Sequence, residues 1–360
     1  MTIKDQVLLL LENHREEFFS GEEIARQLSV SRAGVWKAVK ALQKEGYAIC
    51  AVSNKGYVLE KSPDVLSAVF IEQELEKNGI PLHIQVEKQV DSTNNVLKQY
   101  AADGERRDMV LLAERQSAGR GRRGRSFYSP EGTGLYMSLL LHPNAAPQEA
   151  AMLTTLTAAA AARAVEKVSG EKTEIKWVND IRMRGKKISG ILTEGSTSME
   201  EGKLEYVVVG IGINIYEPEG GFPEEVRDVA GAIFTSHAPK ENLRNCLAAE
   251  FLKYFMEYYQ TFPARDYLEE YRKRSFVIGK RVRIISPDGQ SKKTEEAETS
   301  ADARGYTKED ARAYARAYAR AYARAYALVL GIDDDCHLKV QYDDGTVEYL
   351  SSGEISIKPE

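Results

Sequence analysis

One stretch of this sequence, residues 114–127, combines arginine and glycine at a density that suits an anion-binding site. It contains five arginines and three glycines and lies between two apolar runs, residues 109–113 and 135–141. Arginine presents a planar, permanently charged group whose N–H donors fit carboxylate and phosphate oxygens. Glycine has no side chain, so the backbone can approach a ligand closely and point its N–H groups toward it. The stretch therefore predicts a loop that binds a small ligand carrying several anionic oxygens.

Two other interpretations of the same stretch are a disordered basic loop and a patch that binds nucleic acid. Strongly apolar flanks within so few residues favour an ordered loop, because a disordered loop does not need them. The nucleic-acid interpretation stays open on these residues alone.

A second group of polar candidates lies where a predicted strand, residues 84–87, turns toward a predicted helix, residues 96–102. Residues 91–95 place hydroxyl, amide and backbone donors at the positive end of that helix, a common position for anionic or polar ligand groups. Ordinary capping of the helix by Asp91 or Ser92 explains the same residues equally well.

The elements that must position these groups alternate between strand and helix patterns, which predicts a mixed α/β sheet. Gly210 and Gly212 leave one apolar strand without side chains at two positions. This indicates that another group packs closely against its backbone. The predicted strands are residues 84–87, 109–113, 135–141, 174–180, 186–194 and 207–214, and the predicted helices are residues 152–168, 241–259 and 267–274.

Residues 4–60 have the pattern of a winged helix-turn-helix. Apolar residues recur at helical spacing in three segments, and Ser20 and Ser31 stand where the second and third helices should begin. Residues 46–52 and 57–59 then predict a hairpin. Seven basic and two acidic residues lie between positions 26 and 61, which favours DNA binding over a solvated helix face or a protein-interaction module. The predicted DNA contacts are Ser31, Arg32, Lys37, Lys40 and Lys55.

Composition bounds the class of protein. The 360 residues are 43% hydrophobic and 29% charged, which is typical of soluble globular proteins with two or three domains. No apolar run approaches the length of a membrane span, and the N-terminus does not resemble a signal peptide. Three widely separated cysteines without a CxxC motif support neither a zinc ribbon nor a disulfide framework, so we expect a reduced, cytoplasmic protein.

The expected domain division is residues 1–62 for the winged helix, 63–79 for a linker helix, 80–276 for the α/β domain and 277–360 for a small SH3-like β-barrel. A low-complexity insertion at about residues 290–327 interrupts the barrel. It ends in Ala-Arg-Ala-Tyr repeated four times, which could form a helix. We assign it no function, because insertions are tolerated at loop tips.

Five motifs behind a winged helix give the chain a family resemblance. In order they are Asp-Ser-Thr-Asn at 91–94, Gly-Arg-Gly-Arg-Arg-Gly-Arg at 119–125, Lys-Trp-Val-Asn-Asp at 176–180, Lys-Ile-Ser-Gly-Ile at 187–191 and Gly-Ile-Gly-Ile-Asn at 210–214. Together they resemble the bacterial family of bifunctional biotin protein ligases and biotin operon repressors. The resemblance covers nearly the whole chain except the insertion.

The resemblance implies a multidomain α+β protein whose central mixed α/β domain is of the class II synthetase and biotin-ligase type. Such a ligase activates the biotin carboxylate with ATP to give biotinyl-5′-AMP and pyrophosphate. Mg²⁺ is expected to bind together with the nucleotide. It then transfers biotin to a lysine of the biotin carboxyl carrier protein of acetyl-CoA carboxylase. No protein nucleophile is needed, and the sequence offers no convincing nucleophile–base arrangement.

Site residues carry over by position from the matching motifs, with Arg122 and Lys187 implied as the catalytic cations. The residues implied to contact biotin are Ser92, Thr93, Asn94, Gln116, Arg120, Gly121, Arg122, Lys187 and Gly190. Those implied to contact ATP are Arg120, Arg122, Phe127, Lys176, Asn179, Asp180 and Asn214. No residue is assigned as a metal ligand.

Two positions depart from the family pattern: Val178 stands where proline is usual, and Phe127 where tryptophan is common. Val178 removes no functional group, and Phe127 keeps an aromatic face for the adenine. The resemblance also implies that the adenylate-bound protein forms a homodimer through the central sheet and binds operator DNA, repressing the biotin biosynthesis genes. Two alternatives are a ligand-sensing repressor without ligase activity and a lipoate ligase.

Overall fold

The N-terminal segment of the chain folds as three helices and a hairpin, which confirms the predicted winged helix. The elements are α1 (Ile3–Asn13), α2 (Gly21–Gln27), α3 (Arg32–Glu45), β1 (Ile49–Val52) and β2 (Gly56–Leu59), with β1 and β2 antiparallel. This computed structural model describes residues 2–15, 17–60, 64–198, 200, 202–235, 242–285, 326–351 and 356–359.

The helices of this segment begin where the sequence places their caps. The Ser20 hydroxyl accepts a hydrogen bond from the backbone N–H of Glu23, and the Glu23 carboxylate accepts one from the backbone N–H of Ser20. The Ser31 hydroxyl caps α3 by accepting from the Gly34 N–H at 3.0 Å. One face of α3 is buried in the small core, and its other face is exposed. The exposed face is therefore available to a partner.

The central part of the chain forms a seven-stranded sheet in the order β3-β4-β5-β9-β8-β7-β6. Only β3 and β4 are parallel to each other; the other neighbouring pairs are antiparallel. The mixed sheet that the sequence predicts is confirmed. Its strands are β3 (His83–Val90), β4 (Met109–Gln116), β5 (Gly134–Leu141), β6 (Glu174–Lys176), β7 (Asp180–Met183), β8 (Lys186–Ser198) and β9 (Lys203–Asn214).

Helices cover both faces of this sheet. Alternate residues of β4, β5 and β9 belong to two separate apolar clusters, a large one that includes the core of α6 and a smaller one under α5. Six alanines of α6, at positions 158–162 and 164, are completely buried, and their small side chains let the helix approach the strands closely. The helices are α4 (Ala68–Glu76), α5 (Thr93–Ala102), α6 (Ala150–Ser169), α7 (Glu224–Arg227), α8 (Leu243–Tyr259) and α9 (Leu268–Arg274).

The single strand predicted over residues 174–180 is wrong. The structure ends β6 at Lys176, turns through residues 177–179 and begins β7 at Asp180. Trp177 and Val178 are buried in this turn, and the Tyr271 hydroxyl donates a hydrogen bond to the Val178 carbonyl. The apolar pattern therefore arises from a buried turn, which cannot be distinguished from a strand by hydrophobicity alone.

The C-terminal part forms one antiparallel sheet in the order β13-β12-β11-β10-β14. The predicted end of the insertion at residue 327 is wrong, because Tyr326 and Ala327 pair with Arg283 and Val282 inside the sheet. Residues 286–325, which hold most of the insertion, lie outside the described part of the chain. The strands are β10 (Arg281–Ile285), β11 (Tyr326–Ile332), β12 (Leu338–Tyr342), β13 (Val347–Leu350) and β14 (Ser356–Pro359).

A buried charge network ties the segment before α4 to the central sheet. The Arg244 side chain, 2% exposed, donates to the Glu114 carboxylate at 2.8 Å and to the Asp64 carbonyl. The Arg244 backbone N–H donates to the Asp64 carboxylate at 3.0 Å, and Tyr216 donates to the same carboxylate. Glu114 also accepts from the Leu66 N–H at 2.8 Å. Burial raises the pKa of Asp64, against the lowering effect of the Arg244 charge.

We expect Arg244→Met to lower the free energy of unfolding by about 3–5 kcal/mol, because it leaves two buried carboxylates without their cation. Arg106→Met is the control, since Arg106 pairs with Glu205 at the surface with 61% of its side chain exposed, and such pairs contribute about 0–1 kcal/mol. Urea unfolding measures both. Equal losses in the two variants would contradict a stabilising role for the buried network.

Candidate active site

A buried network of neutral polar groups lies at the start of α5. The Gln116 side-chain oxygen accepts from the backbone N–H of Thr93 at 2.9 Å and from its hydroxyl at 3.1 Å. The Gln116 amide nitrogen donates to the Ser129 hydroxyl at 3.0 Å. The Ser138 hydroxyl contacts Thr93 Oγ1 at 2.7 Å and Asn94 Oδ1 at 2.6 Å. These contacts link the ends of β4 and α5 and hold the side chains in fixed orientations.

Ser92 stands at the N-cap position of α5 but makes no side-chain capping hydrogen bond. Ser92, Thr93 and Asn94 are all almost completely buried. Simple capping by Ser92, one of the two interpretations of this turn, is therefore wrong. Asp91 instead accepts from the Asn95 amide at 2.7 Å, and this hydrogen bond is the first cause of the lowered pKa of Asp91.

Glu194 on β8 is a functional candidate that sequence reasoning missed. Its carboxylate accepts from the Asn94 amide at 2.9 Å, from Lys98 Nζ at 2.9 Å and from Arg120 at 3.0 Å. Burial alone would raise the pKa of Glu194, but these hydrogen bonds and the charges of Lys98 and Arg120 outweigh it and lower the pKa. Glu194 therefore holds Arg120, the first arginine of the Gly-Arg-Gly motif, against the sheet. An acidic residue on a strand gives no sequence signal of such a role.

The arginine-glycine loop is ordered by its own backbone. Gly121 N–H donates to the Arg125 carbonyl at 2.7 Å, and Phe127 N–H donates to the Gly119 carbonyl at 2.8 Å. A Cβ atom at Gly119 would lie 2.4 Å from the Phe127 carbonyl oxygen, so this close approach requires glycine. The predicted ordered loop is confirmed, with a 3₁₀ turn over residues 122–124.

Arg122 points from this loop to the β6–β7 turn, where it donates to Asn179 Oδ1 at 3.1 Å. Burial and the neighbouring charge of Arg123 lower the pKa of Arg122. The Asn179 side-chain nitrogen donates to the Ile191 carbonyl at 3.0 Å, so Asn179 is held by β8 while it receives Arg122. The structure thus brings Arg122 and Asn179 together, although 57 positions separate them in sequence.

Lys187 and Asp180 form an ion pair at 2.7 Å. Lys176 lies close enough to both for their charges to affect it, and its pKa is lowered, first by burial and further by the Lys187 charge. Asp180 opposes that lowering, and its charge also acts on Arg122. Three cations therefore lie near one carboxylate: Lys187 is paired with Asp180, Lys176 lies opposite it across β6 and β7, and Arg122 contacts the preceding residue, Asn179. Such a cluster can stabilise several negative charges at once when a phosphate is bound.

Glycines on β8 and β9 leave space for the side chains of the site. Gly190 and Gly212 are paired across these strands, and the Phe127 ring lies over them, 2.4 Å from where a Cβ of Gly212 would be. A Cβ at Gly190 would lie 3.2 Å from Lys187 Nζ, and one at Gly210 only 2.0 Å from Asn94 Oδ1. The close packing predicted against this strand is confirmed. Phe127, Lys187 and Asn94 are the groups that pack there.

Asn214, at the end of β9, lies beside a loop that also contacts Lys187. The Asn214 amide donates to the Gly231 carbonyl at 3.0 Å. Lys187 N–H donates to the Val229 carbonyl at 2.7 Å, and Gly231 N–H donates to the Lys187 carbonyl at 2.8 Å. Backbone contacts therefore hold Lys187 and Asn214 to one loop.

The C-terminal sheet contacts the site through a backbone oxygen. Trp177 Nε1 donates to the Cys336 carbonyl at 3.0 Å, and both residues are buried. The Cys336 thiol lies 3.2 Å from the Thr155 hydroxyl on α6. The turn that carries Asn179 is thus held from the side of the C-terminal domain. Sequence reasoning missed this contact because a carbonyl group carries no residue signature.

The five predicted DNA contacts stand apart from this site. Ser31 caps α3, and the other four are exposed, three of them on α3 and Lys55 at the hairpin turn. Lys55 lies over the Phe18 ring, 5.3 Å from its centre. Their placement fits a helix and a wing that face a common surface. Within the described residues we find no helix with the length and apolar content that a membrane span requires.

Comparison with known proteins finds three family models that match parts of the chain. The Biotin/lipoate A/B protein ligase family matches residues 86–214, an HTH domain matches residues 4–58, and the Biotin protein ligase C terminal domain matches residues 325–358. The structure of the biotin protein ligase from Aquifex aeolicus in complex with biotin and ATP aligns with a TM-score of 0.56 at 23% identity, covering 77% of this chain and 99% of that one. At this identity the likeness concerns the fold.

Two relatives resemble the chain across several domains. The bifunctional ligase/repressor BirA of Bacillus spizizenii is 37% identical over 239 residues, which cover 66% of this chain and 73% of that protein. The bifunctional ligase/repressor BirA of Escherichia coli is 30% identical over 290 residues, which cover 80% and 87% respectively. With this extent of similarity, and with a winged helix ahead of the site, the chain belongs to the biotin protein ligase family as one of its bifunctional ligase/repressors.

Proposed function

We propose that this ligase/repressor binds biotin beside the network of Thr93, Asn94 and Gln116 and activates its carboxylate with ATP next to Arg122 and Lys187. The product biotinyl-5′-AMP then gives up its biotinyl group to a lysine of the biotin carboxyl carrier protein of acetyl-CoA carboxylase. The observation that carries the proposal is the group of three cations near Asp180, beside a buried network of neutral polar groups. A ligand that is neutral and polar at one end and anionic at the other fits this division.

The neutral end of the site suits the ureido ring of biotin, which offers N–H donors and a carbonyl acceptor. Thr93, Asn94 and Gln116 supply hydroxyl and amide groups whose orientations are fixed by hydrogen bonds, and Ser92 adds a buried hydroxyl. Fixed, buried polar groups discriminate strongly, because a ligand that lacks the matching partner leaves them unpaired. We infer that this end selects biotin over lipoate, whose ring offers no such amide groups.

The cationic end supports the first half-reaction. A biotin carboxylate oxygen forms a bond to the α-phosphorus of ATP, and the bond from that phosphorus to the bridging oxygen breaks, so pyrophosphate leaves. Negative charge accumulates on the α-phosphate oxygens as this occurs. Arg122 and Lys187 stabilise that charge, and Asn179 orients Arg122 for it. We place Arg120, Phe127, Lys176 and Asn214 around the nucleotide, and Gly121 and Gly190 where the backbone approaches biotin.

Asp180 is a suitable ligand for the Mg²⁺ ion that accompanies ATP, because Mg²⁺ prefers carboxylate oxygens. Its buried Oδ1 lies 2.7 Å from Lys187 Nζ, so this carboxylate already holds one cation. When bound, the ion would neutralise charge on the phosphates and assist departure of pyrophosphate. Asn179 has one side-chain oxygen, which already accepts from Arg122, whereas the Asp180 carboxylate has a second oxygen besides the one that faces Lys187, so Asp180 is the better candidate ligand.

In the second half-reaction the lysine amine attacks the carbonyl carbon of the mixed anhydride, a C–N bond forms and AMP leaves with the electron pair of the C–O bond. The amine loses its proton as the amide forms. Until then the ordered loop of residues 119–127 shields the adenylate from water. The chain needs no nucleophile of its own for either step.

For repression we propose that the adenylate-bound protein dimerises through the central sheet and binds a palindromic operator that controls the biotin biosynthesis genes. β3 forms one edge of the sheet, and an edge strand can pair with a second copy. Dimerisation would place two α3 helices on successive turns of DNA. Because ATP, DNA and the carrier protein share the bacterial cytoplasm, we place the protein there. A repressor that only senses its ligand would not need three cations aimed at a phosphate.

We expect Lys187→Gln to lower biotin-dependent ATP–pyrophosphate exchange by about 10²–10³-fold, since it removes a cation from the developing charge. Lys186→Gln is the matched control, because the neighbouring Lys186 directs its Nζ to the Asp228 carbonyl, away from the ion pair. Exchange with biotin but not lipoate checks the substrate. Undiminished exchange in the Lys187 variant would remove Lys187 from the catalytic set, and no exchange with biotin by the unaltered protein would contradict the proposed reaction.

Gly212→Ala should displace the Phe127 ring, because its Cβ would lie 2.4 Å from the ring. We expect about a tenfold rise in KM for ATP and a loss of about 1–3 kcal/mol in unfolding free energy, as for other overpacked positions. Steady-state adenylation kinetics and urea unfolding measure the two effects. Gly331→Ala, where a Cβ meets nothing within 4 Å, should change neither. A Gly212 variant with unaltered kinetics would show that the ring position is unimportant.

Trp177→Phe should raise KM for ATP and lower kcat together, by about fivefold or more each, while leaving the Kd of biotin unchanged. It removes the hydrogen bond to Cys336 that holds the turn carrying Asn179 but keeps an aromatic ring in the core. Isothermal titration with biotin and adenylation kinetics separate the two ligands. Tyr349→Phe, at an exposed position of the C-terminal sheet, is the control. Equal weakening of biotin and ATP binding would indicate general destabilisation instead.

A further inference from the structure

We propose that Trp36 is a specificity-determining residue for operator DNA, and that its indole ring contacts the 5-methyl groups of thymines in the major groove. The proposal rests on the repressor function proposed above. Trp36 is not among the predicted DNA contacts. Its proposed role is to recognise the base sequence rather than to bind phosphate.

Trp36 is largely exposed to solvent, although its side chain is large and apolar. Its fractional exposure is 54%, whereas Trp177, the second tryptophan of the chain, is 5% exposed. Both helical neighbours that pack inward beside it, Val35 and Val39, are completely buried. The core of the winged helix is therefore complete without Trp36. A lone exposed ring does not by itself require a partner, but this one stands on the third helix, which a winged helix-turn-helix presents to DNA.

The charge around Trp36 identifies the class of partner. Arg32 and Lys40 lie four residues before and after it, so they share its face of α3, and Lys37 lies beside it, also exposed. Between positions 24 and 44 the sequence has five basic residues and no acidic one. A second copy of this face would bring like charges together. A polyanion suits it, and duplex DNA is the polyanion that a helix of a winged helix-turn-helix can enter.

The position on the helix separates the role of Trp36 from that of the cations. Trp36 is the fifth residue of α3, and the N-terminal part of such a helix contacts base edges. Long basic side chains on either side can reach phosphates, which carry no sequence information. The apolar group that bases present in the major groove is the thymine 5-methyl. An indole ring that packs against that methyl group is removed from water, which stabilises the complex. Binding therefore favours A·T pairs at fixed positions.

The test uses the full-length protein with biotin and ATP and a duplex selected by that protein from a random-sequence library. Fluorescence anisotropy gives the Kd of this duplex and of an unselected duplex. We expect Trp36→Ala to weaken binding of the selected duplex by about tenfold and leave the unselected one unchanged. Replacing thymine by deoxyuridine in the selected duplex should weaken binding by the unaltered protein and have no effect on the variant. Lys37→Ala is the control, because loss of a phosphate contact should weaken both duplexes and keep the dependence on thymine.

The outcomes distinguish failure of this proposal from failure of the repressor function. If Trp36→Ala retains the preference for thymine over deoxyuridine, Trp36 does not read the methyl group and the proposal is overturned. If the variant loses DNA binding only because it no longer dimerises, as sedimentation would show, Trp36 belongs to a protein interface and the proposal is again overturned. If the unaltered protein selects no sequence at all, the repressor function itself fails. Unchanged ATP–pyrophosphate exchange shows that the central domain of the variant is folded, and unchanged binding of the unselected duplex shows the same for its winged helix.

Discussion

The buried guanidinium of Arg244 connects three segments that are far apart in sequence: the residues after the winged helix, strand β4 and helix α8. Removing a charge from water costs several kcal/mol, so such a group persists only where carboxylates and carbonyls surround it. Asp64, Glu114 and the Gly134 carbonyl do so here. Because any other register would leave these charges unpaired, the network fixes how the connector meets the sheet. Two positions beyond Glu114, the same strand carries Gln116, which organises the biotin side of the proposed site.

The site itself depends on a balance between cations that repel one another and carboxylates that hold them in place. Arg122, Lys176 and Lys187 would be costly to bring together in a partly buried space without Asp180 among them. Burial and neighbouring positive charge lower the pKa of Lys176, the direction expected where cations lie close together. Glu194 plays the corresponding part for Arg120 at the other end. A site built in this way is preorganised, since its positive groups are in position before the phosphates arrive.

Features that depend on the type of a side chain or on the spacing of apolar residues can be predicted from the sequence. Caps at Ser20 and Ser31, the alternation in the strands and the glycines at 210 and 212 each reflect a local physical requirement, and the structure agrees with them. The strand predicted over residues 174–180 failed because a buried turn and a strand have the same hydrophobic pattern. Contacts with the carbonyls of Ile191, Gly231 and Cys336 could not be predicted, because a backbone oxygen is the same at every position. Glu194 and Trp36 required knowledge of burial, which only the folded chain supplies.

Two separate routes connect the flanking domains to the two halves of the proposed site. The connector from the winged helix reaches β4 through Glu114, and β4 leads to Gln116 and Thr93 on the biotin side. The C-terminal sheet reaches Trp177 through the Cys336 carbonyl, and that turn leads to Asn179 and Arg122 on the ATP side. A change in the C-terminal domain should therefore weaken ATP binding more than biotin binding. A change in the connector should weaken biotin binding more than ATP binding. β11 begins at Tyr326 and is followed by the loop that holds Cys336, so a change in this strand bears on the nucleotide half of the reaction.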